Sequence, residues 1–575
     1  MKRYLKIFIT AAFLIFSISC SESFLDYTPK GTLSGDVLNA PEHLDNMVTA
    51  AYSAIGNDDW THAFSHMWIW GSVRSDDAFK GGGSVGDQGE IDLLEQFTAI
   101  TTDLNKPNLV WTAMYEGIQR ANDALQRVDA ATIEAYPNKV IREAELRFLR
   151  GHWYFMLKIL FKNPVWVDET VKREEIKNIP NNVYTSDQFW DKIAEDFTFA
   201  AANLPATQPQ KGRADKVAAW AYLAKTRLYQ AYEQNAQNEV ININAAKLQE
   251  VVTNCDNVIN SGSHGLNDDF AKNFLTPFEN GPESIFAVQF SVDDGTTSPG
   301  RINRATGLNF NMAPEFGCCD FHNPSQNMVN AFKTDANGLP LFDTFDNNLL
   351  RNPADFQAPN TVDPRIDHTI GIATHPFKYM PNWVMQSNWR RAPQVYGFWS
   401  SMKEVVPYND PTYRKYGAFM GSALNFDVLR YDDVLLMKAE ALIELNRQAE
   451  ALPLINQIRD RAKNSTGRLK MADGSPISNY KVEPYVLDAS WTKDYARKAL
   501  RFERRLEFAM EGSRFFDLVR WGIAAETLNA HFAKEKTRFV FLANANFKKG
   551  RDEYLAIPQQ QINLVNGIYV QNNGW

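Results

Sequence analysis

Cysteine is scarce in this chain of 575 residues: four in all, with Cys20 in the leader and only Cys255, Cys318 and Cys319 beyond it. Three thiols make no disulfide framework for a protein of this size, although an exported chain permits disulfides. The adjacent Cys318-Cys319 pair can close into a vicinal disulfide or stay as two thiols, and Cys255 fits a helix core position. Positive charge is in deficit too. With 60 Lys and Arg against 68 Asp and Glu the net charge is −8, and no basic block occurs, which excludes a phosphate-backbone binder. Beyond the first twenty residues no apolar stretch approaches the roughly 20 residues of a membrane-spanning helix. Metal and nucleotide motifs are missing: there is no His-Glu-x-x-His and no Cys-x-x-Cys, and Gly81 to Gly83 lacks the strand–helix setting of a phosphate loop.

What is present in surplus is aromatic: 14 Trp and 37 Phe, with Phe, Trp and Tyr making 13% of the chain. Such a surplus goes either into a core or onto a binding face. Residues 1–20 form a targeting segment, with Lys2, Arg3 and Lys6 before an apolar run from Ile7 to Ile18 that is too short to span a bilayer. It ends in Ser17-Ile18-Ser19-Cys20, which resembles a bacterial lipobox and predicts lipidation of Cys20. The expected mature body is therefore soluble and lipid-anchored.

The remaining chain is organised by helical hairpins. Between Leu429 and Ala462, Val434, Met437, Ala441 and Leu445 mark one stripe; Ala449, Leu452, Ile455, Ile458 and Ala462 mark a second, and Asn446-Arg447 divides them. Pro453 is compatible with the second helix only near its first turn, and Asp432 and Asp433 suit the helix start of the first. Three earlier pairs repeat the pattern. They are Leu44 to Ile55 with Trp111 to Leu125, Ile141 to Ile159 with a helix from the cap Ser186 to Leu204, and Val217 to Ala231 with Leu248 to Ile259. The predicted fold is mainly α: a tetratricopeptide-like helical solenoid of four helix pairs. The predicted organisation is a leader (1–20), a helical region with three pairs (21–261), a loop-rich inserted lobe with short β elements (262–428), and a C-terminal region holding the fourth pair (429–575). Within the lobe Ser284 to Val292 is β-prone, and Asp335-Ala336-Asn337-Gly338 reads as a hairpin turn.

The closing segment runs Arg501-Phe-Glu-Arg-Arg-Leu-Glu-Phe-Ala-Met-Glu-Gly-Ser-Arg-Phe-Phe-Asp-Leu-Val-Arg-Trp-Gly522. It resembles the signature of the SusD/RagB family of Bacteroidetes surface lipoproteins. Tyr431 to Ala441, Ile455 to Ala462, Ala556 to Asn563, Phe24-Leu25-Asp26, Ala144 to Arg150 and Gly212 to Ala219 look like further landmarks, in order along nearly the whole chain. The end, Asn572-Asn573-Gly574-Trp575, departs from the more usual Asn-Pro-Gly-Tyr. The resemblance implies an outer-membrane lipoprotein facing the exterior. It also implies that the protein binds an oligosaccharide, or in some branches a peptide, and partners a SusC-like TonB-dependent transporter without being an enzyme. Glu503, Glu507 and Glu511 beside Arg504, Arg505 and Arg514 suit a structural ion-pair network rather than catalysis.

Sugar-binding surfaces use flat rings against pyranose C–H faces and planar polar groups around them. Two clusters fit: Trp60, Trp68 and Trp70 with Arg74, Asp76 and Asp77, and Trp383, Trp389, Arg390, Arg391, Tyr396 and Trp399 in the lobe. At least one of these Trp residues is expected in a ligand platform. If Trp68-Ile69-Trp70 is extended, alternation turns its successive side chains to opposite faces. No cofactor is expected. His62 and His66 lack a third ligand, and Asp268-Asp269 and Asp293-Asp294-Gly295 are weak Ca²⁺ candidates without an EF-hand pattern.

Overall fold

The computed structural model describes residues 40–575; Cys20, the leader and the Phe24-Leu25-Asp26 landmark lie outside the described residues. All four hairpins form. They pair α1 (Pro41–Gly56) with α2 (Asn105–Ala130), α3 (Lys139–Phe161) with α4 (Ser186–Asn203), α5 (Lys216–Ala231) with α6 (Ala245–Asn260), and α7 (Tyr431–Glu444) with α8 (Gln448–Asn464). Each helix packs on the next in this order, and α7 stacks on α6 across the inserted lobe. Small residues permit the close contacts: Ala218, Ala219, Ala221 and Ala224 of α5 are wholly buried. Cys255 of α6 is buried as a free thiol, whereas Cys318 and Cys319 are joined in a disulfide.

Local chemistry explains most boundaries and corrects three expectations. Thr185, not Ser186, caps α4, in a reciprocal capping box with Gln188. Pro453 lies a full turn into α8 rather than in its first turn. It is solvent-facing there, so water can satisfy the carbonyl left without a backbone donor. Asp432 and Asp433 do not serve the α7 dipole alone; they are buried and paired with Arg430 at 2.7 Å and Arg504 at 2.8 Å. After α8 come α9 (Lys493–Glu507), capped by Thr492, then α10 (Arg514–Arg520).

Strand is confined to two-stranded ribbons among the described residues. Those that shape the surface discussed below are β1 (Ala78–Gly81), β2 (Ser284–Val288), β3 (Phe321–Pro324), β4 (Arg414–Tyr416), β5 (Phe419–Gly421) and β6 (Phe426–Arg430). β1 pairs with β3, β4 with β5, and β2 with β6, all antiparallel. Phe286 of β2 packs edge-on to Phe148 of α3 at 4.8 Å, which fastens the lobe to the helices. At the predicted turn, Gly338 adopts positive φ and its N–H donates to Asp335 O at 2.9 Å.

Candidate functional site

Ten of the twelve residues in the two predicted platform clusters are interior. Trp68 and Trp70 are fully buried, and Arg74, Asp76 and Asp77 are at most 3% exposed. Residues Trp68–Val73 are not an alternating strand but a π-helical turn whose six residues are all buried. The indoles find polar partners inside: Trp68 Nε1 donates to Ala305 O at 2.9 Å and Trp70 Nε1 to His62 O at 2.6 Å. Asp76 takes Arg514 at 2.8 Å and Asp77 takes Arg505 at 2.9 Å, while the Arg74 guanidinium lies 4.2 Å from the Phe515 ring centre. These carboxylates are held by the closing signature, not offered to a sugar. Gly71 and Gly512 make the junction possible, since a Cβ on Gly71 would stand 1.7 Å from Gly512 O.

The second cluster is sealed within the lobe. Trp383 and Trp389 pack edge-on or tilted among Phe377, Phe316 and each other, with ring centres 5.1–6.3 Å apart. Trp399 is 3% exposed, and Tyr396 is wholly buried beneath the Lys80 ammonium at 5.0 Å. Arg390 Nε donates to Asp320 at 2.9 Å, and only Arg391 reaches the surface, pairing with Asp87 at 3.0 Å. The physical reason is common to both clusters. Segments without helical period are buried when distant segments cover them, and large rings bring more favourable burial than any other side chain.

Trp60 is the exception. It is half-buried, with the Lys106 ammonium 5.4 Å from its ring and Phe419 at 5.7 Å. Phe419 and Tyr416 face one another across the β4–β5 hairpin, with rings 5.9 Å apart, and both are half-buried. Gly417, at positive φ, opens the two-residue turn between them. Aromatics flanking a Gly-containing two-residue loop were the available signal for this hairpin. Tyr416 leans under Arg304, whose guanidinium lies 5.2 Å from the ring, and burial pushes its phenol up to about 12. Its hydroxyl lacks a protein partner, and a Cβ on Gly307 would come within 2.3 Å of it.

This aromatic step adjoins an open cleft of about 940 Å³, with Asp59 and Arg304 at the seam. The end of α1, loop 57–62, loop 210–213, β2 and loop 296–304 form its walls. Asp58 is turned inward, accepting from Ser65 N at 2.7 Å and bonding His62 Nδ1 at 2.7 Å. Burial would lower the His62 pKa, but the Asp58 hydrogen bond and charge prevail and raise it. The cleft therefore offers partly accessible rings, amide and hydroxyl groups and several guanidiniums, a combination suited to a polar ligand with flat apolar faces.

Other candidates resolve differently. His62 bonds Asp58, whereas His66 is buried against His322 and Phe426, so the two do not converge. Asp268 pairs with Lys272, Asp269 with Arg468, and Asp293 with Arg414, leaving the Ca²⁺ candidates engaged. Glu283, Asp432 and Glu507 converge closely enough to suggest a metal, but Arg461, Arg430 and Arg365 already oppose them. No serine nucleophile in a Gly-x-Ser-x-Gly elbow is expected from the sequence, yet Gly82-Gly83-Ser84-Val85-Gly86 spells that pattern; Ser84 is exposed and no histidine among the described residues bonds to it.

Comparison with known proteins decides the family. The SusD family matches residues 282–575, which include α7, α8 and the signature run. The chain belongs to the SusD family. A second family, described as starch-binding and associating with the outer membrane, matches residues 23–228. SusD-like protein P25 of Formosa agariphila is 24% identical over 99% of both chains. Among solved structures, a SusD homolog from Bacteroides thetaiotaomicron superposes with TM-score 0.69 at 20% identity, covering 94% of this chain and 98% of that one. Surface glycan-binding protein A from the same organism, solved with laminarihexaose, gives 0.64 at 21% identity, covering 92% and 99%. The mainly helical SusD fold is thus shared throughout. The family descriptions and relatives are of binding proteins, not enzymes.

Proposed function

We propose that this SusD-family chain is a lipid-anchored surface receptor that captures an oligosaccharide and passes it to a SusC-like TonB-dependent transporter in the outer membrane. The observation that carries the reading is the half-exposed step of Trp60, Phe419 and Tyr416 beside a cleft of about 940 Å³. A pyranose laid on such rings buries its C–H face, while Asp59 and Arg304 stand where hydroxyls emerge. The family descriptions and the laminarihexaose complex of a structural neighbour support a glycan as the ligand. Lipidation at Cys20 and the transporter partnership rest on the lipobox and the family resemblance.

Isothermal titration of an oligosaccharide panel against the native chain and Trp60→Ala tests this directly. Loss of one stacked ring should weaken binding by about 1–2 kcal/mol, roughly five- to thirty-fold. A chain that binds no member of the panel yet copurifies with an outer-membrane barrel would instead be a transporter lid.

A further inference from the structure

The cleft reverses the charge of the molecule that contains it. Over the whole chain acidic residues outnumber basic ones, 68 to 60. On the cleft walls the cations are Arg120, Lys211, Arg213, Arg301 and Arg304, against the carboxylates Asp58 and Asp59. Two of the cations are committed, Arg120 to Glu116 at 2.5 Å and Arg213 to Glu145 at 2.6 Å. Lys211, Arg301 and Arg304 have no carboxylate within ion-pair distance among the described residues. Of the two acids, Asp58 is withdrawn from the cleft and Asp59 stays partly exposed. Asp58 is 5% exposed and is used by His62 and Ser65, and Asp59 accepts from Thr61 N at 2.6 Å. The exposed acidic loop beside Arg301 does not line the cleft, and its carboxylates have partners of their own: Asp294 accepts from Ser291 Oγ at 2.6 Å and from Arg301 N at 3.3 Å, and Asp293 pairs with Arg414.

We infer that the ligand of this cleft is an anionic oligosaccharide, one whose rings carry carboxylate or sulfate-ester groups. The inference rests on the glycan-binding reading above and adds the substrate class. Guanidiniums present paired N–H donors that match the oxygens of either group, and a cleft of one sign concentrates oppositely charged ligands. Trp60 and Phe419 supply the ring contacts that any sugar shares; Arg301, Arg304 and Lys211 supply the selection between charged and neutral sugars. Arg304 serves both, because its guanidinium lies 5.2 Å from the Tyr416 ring and lines the cleft wall.

The test titrates the full chain with four probes: hexagalacturonate for carboxylates, a carrageenan hexasaccharide for sulfate esters, and laminarihexaose and maltohexaose as neutral controls. At least one anionic probe should bind tenfold or more tighter than both neutral ones. Its affinity should fall at least tenfold between 50 and 500 mM NaCl, and at least tenfold in the Arg301→Gln/Arg304→Gln double variant. Which anionic probe binds identifies the group. Neutral probes that bind as tightly, with affinity lost in Trp60→Ala and unchanged in the double variant, overturn the anionic assignment while leaving the glycan reading standing. No binding of any probe overturns both.

Discussion

Trp60 and Trp68 are close neighbours in sequence, drawn from the same kind of irregular, aromatic, polar-flanked stretch, yet they meet opposite fates. Trp68 begins a turn that is closed over by Gly512, by Arg505 and Arg514, and by Ala305 from the lobe. Trp60 packs at the edge of the core, with Lys106 and Phe419 of the β4–β5 hairpin against its ring, and stays half-buried. The difference teaches that the character of a Trp-Arg-Asp cluster lies in its partners rather than its composition. Asp76 and Asp77 face two arginines and are structural. The Arg301 and Arg304 guanidiniums line the cleft without an ion pair among the described residues, and they are available to a ligand.

Breaking the sealed junction should have the largest effect. Asp76→Ala leaves Arg505 and Arg514 short of a buried counter-charge, and such losses cost about 3–5 kcal/mol. Thermal melting should show a drop of several degrees or loss of soluble protein. Trp389→Ala, within the sealed lobe, should cost a similar 3–5 kcal/mol through the cavity it leaves. Where that variant still folds, its affinity for oligosaccharide should match the native chain's in titration, unlike that of Trp60→Ala. Phe419→Ala at the open rim should change melting little and weaken binding by about 1 kcal/mol, roughly fivefold.

A fourth expectation concerns pH. Glu440 and Glu404 are buried, which alone would raise them, but Arg520 and His322 respectively hold both down at about 2. Their folded pKa lies below the unfolded value of 4.5, so their stabilisation is complete above pH 4.5 and is lost as pH falls toward 2. Burial raises Glu279 to about 7, Asp427 to about 6 and Glu535 to about 7. These work oppositely: their contribution is complete below the unfolded value and fades as pH rises through the folded one. Melting temperature should therefore peak near about pH 5 and decline on both sides. Glu440→Gln should flatten the acid limb.

The helix pairs are legible because a period near 3.6 is a local property, written within each stripe whatever covers it. Ends are less so, since Thr185 and Ser186 both suit a cap and only the Gln188 side chain decides between them. The charged signature is half legible. Its spacing announces an ion-pair network, but the observed partners of Glu503 and Glu507 are Arg365, Arg459 and Arg461, brought from other segments. The site is hardest to read for the same reason. Nothing local tells Trp60 from Trp68, and Tyr416, Phe419, Arg301 and Arg304 reach Trp60 and the cleft only through folding of the lobe.

Hydrogen exchange, followed by mass spectrometry with and without saturating oligosaccharide, puts the open-rim account to its most direct test. Protection on binding is expected in peptides covering 57–62, 296–304 and 414–421, with those covering 68–77 and 383–399 unchanged. Protection centred on 383–399, with 57–62 and 414–421 unaffected, would contradict it.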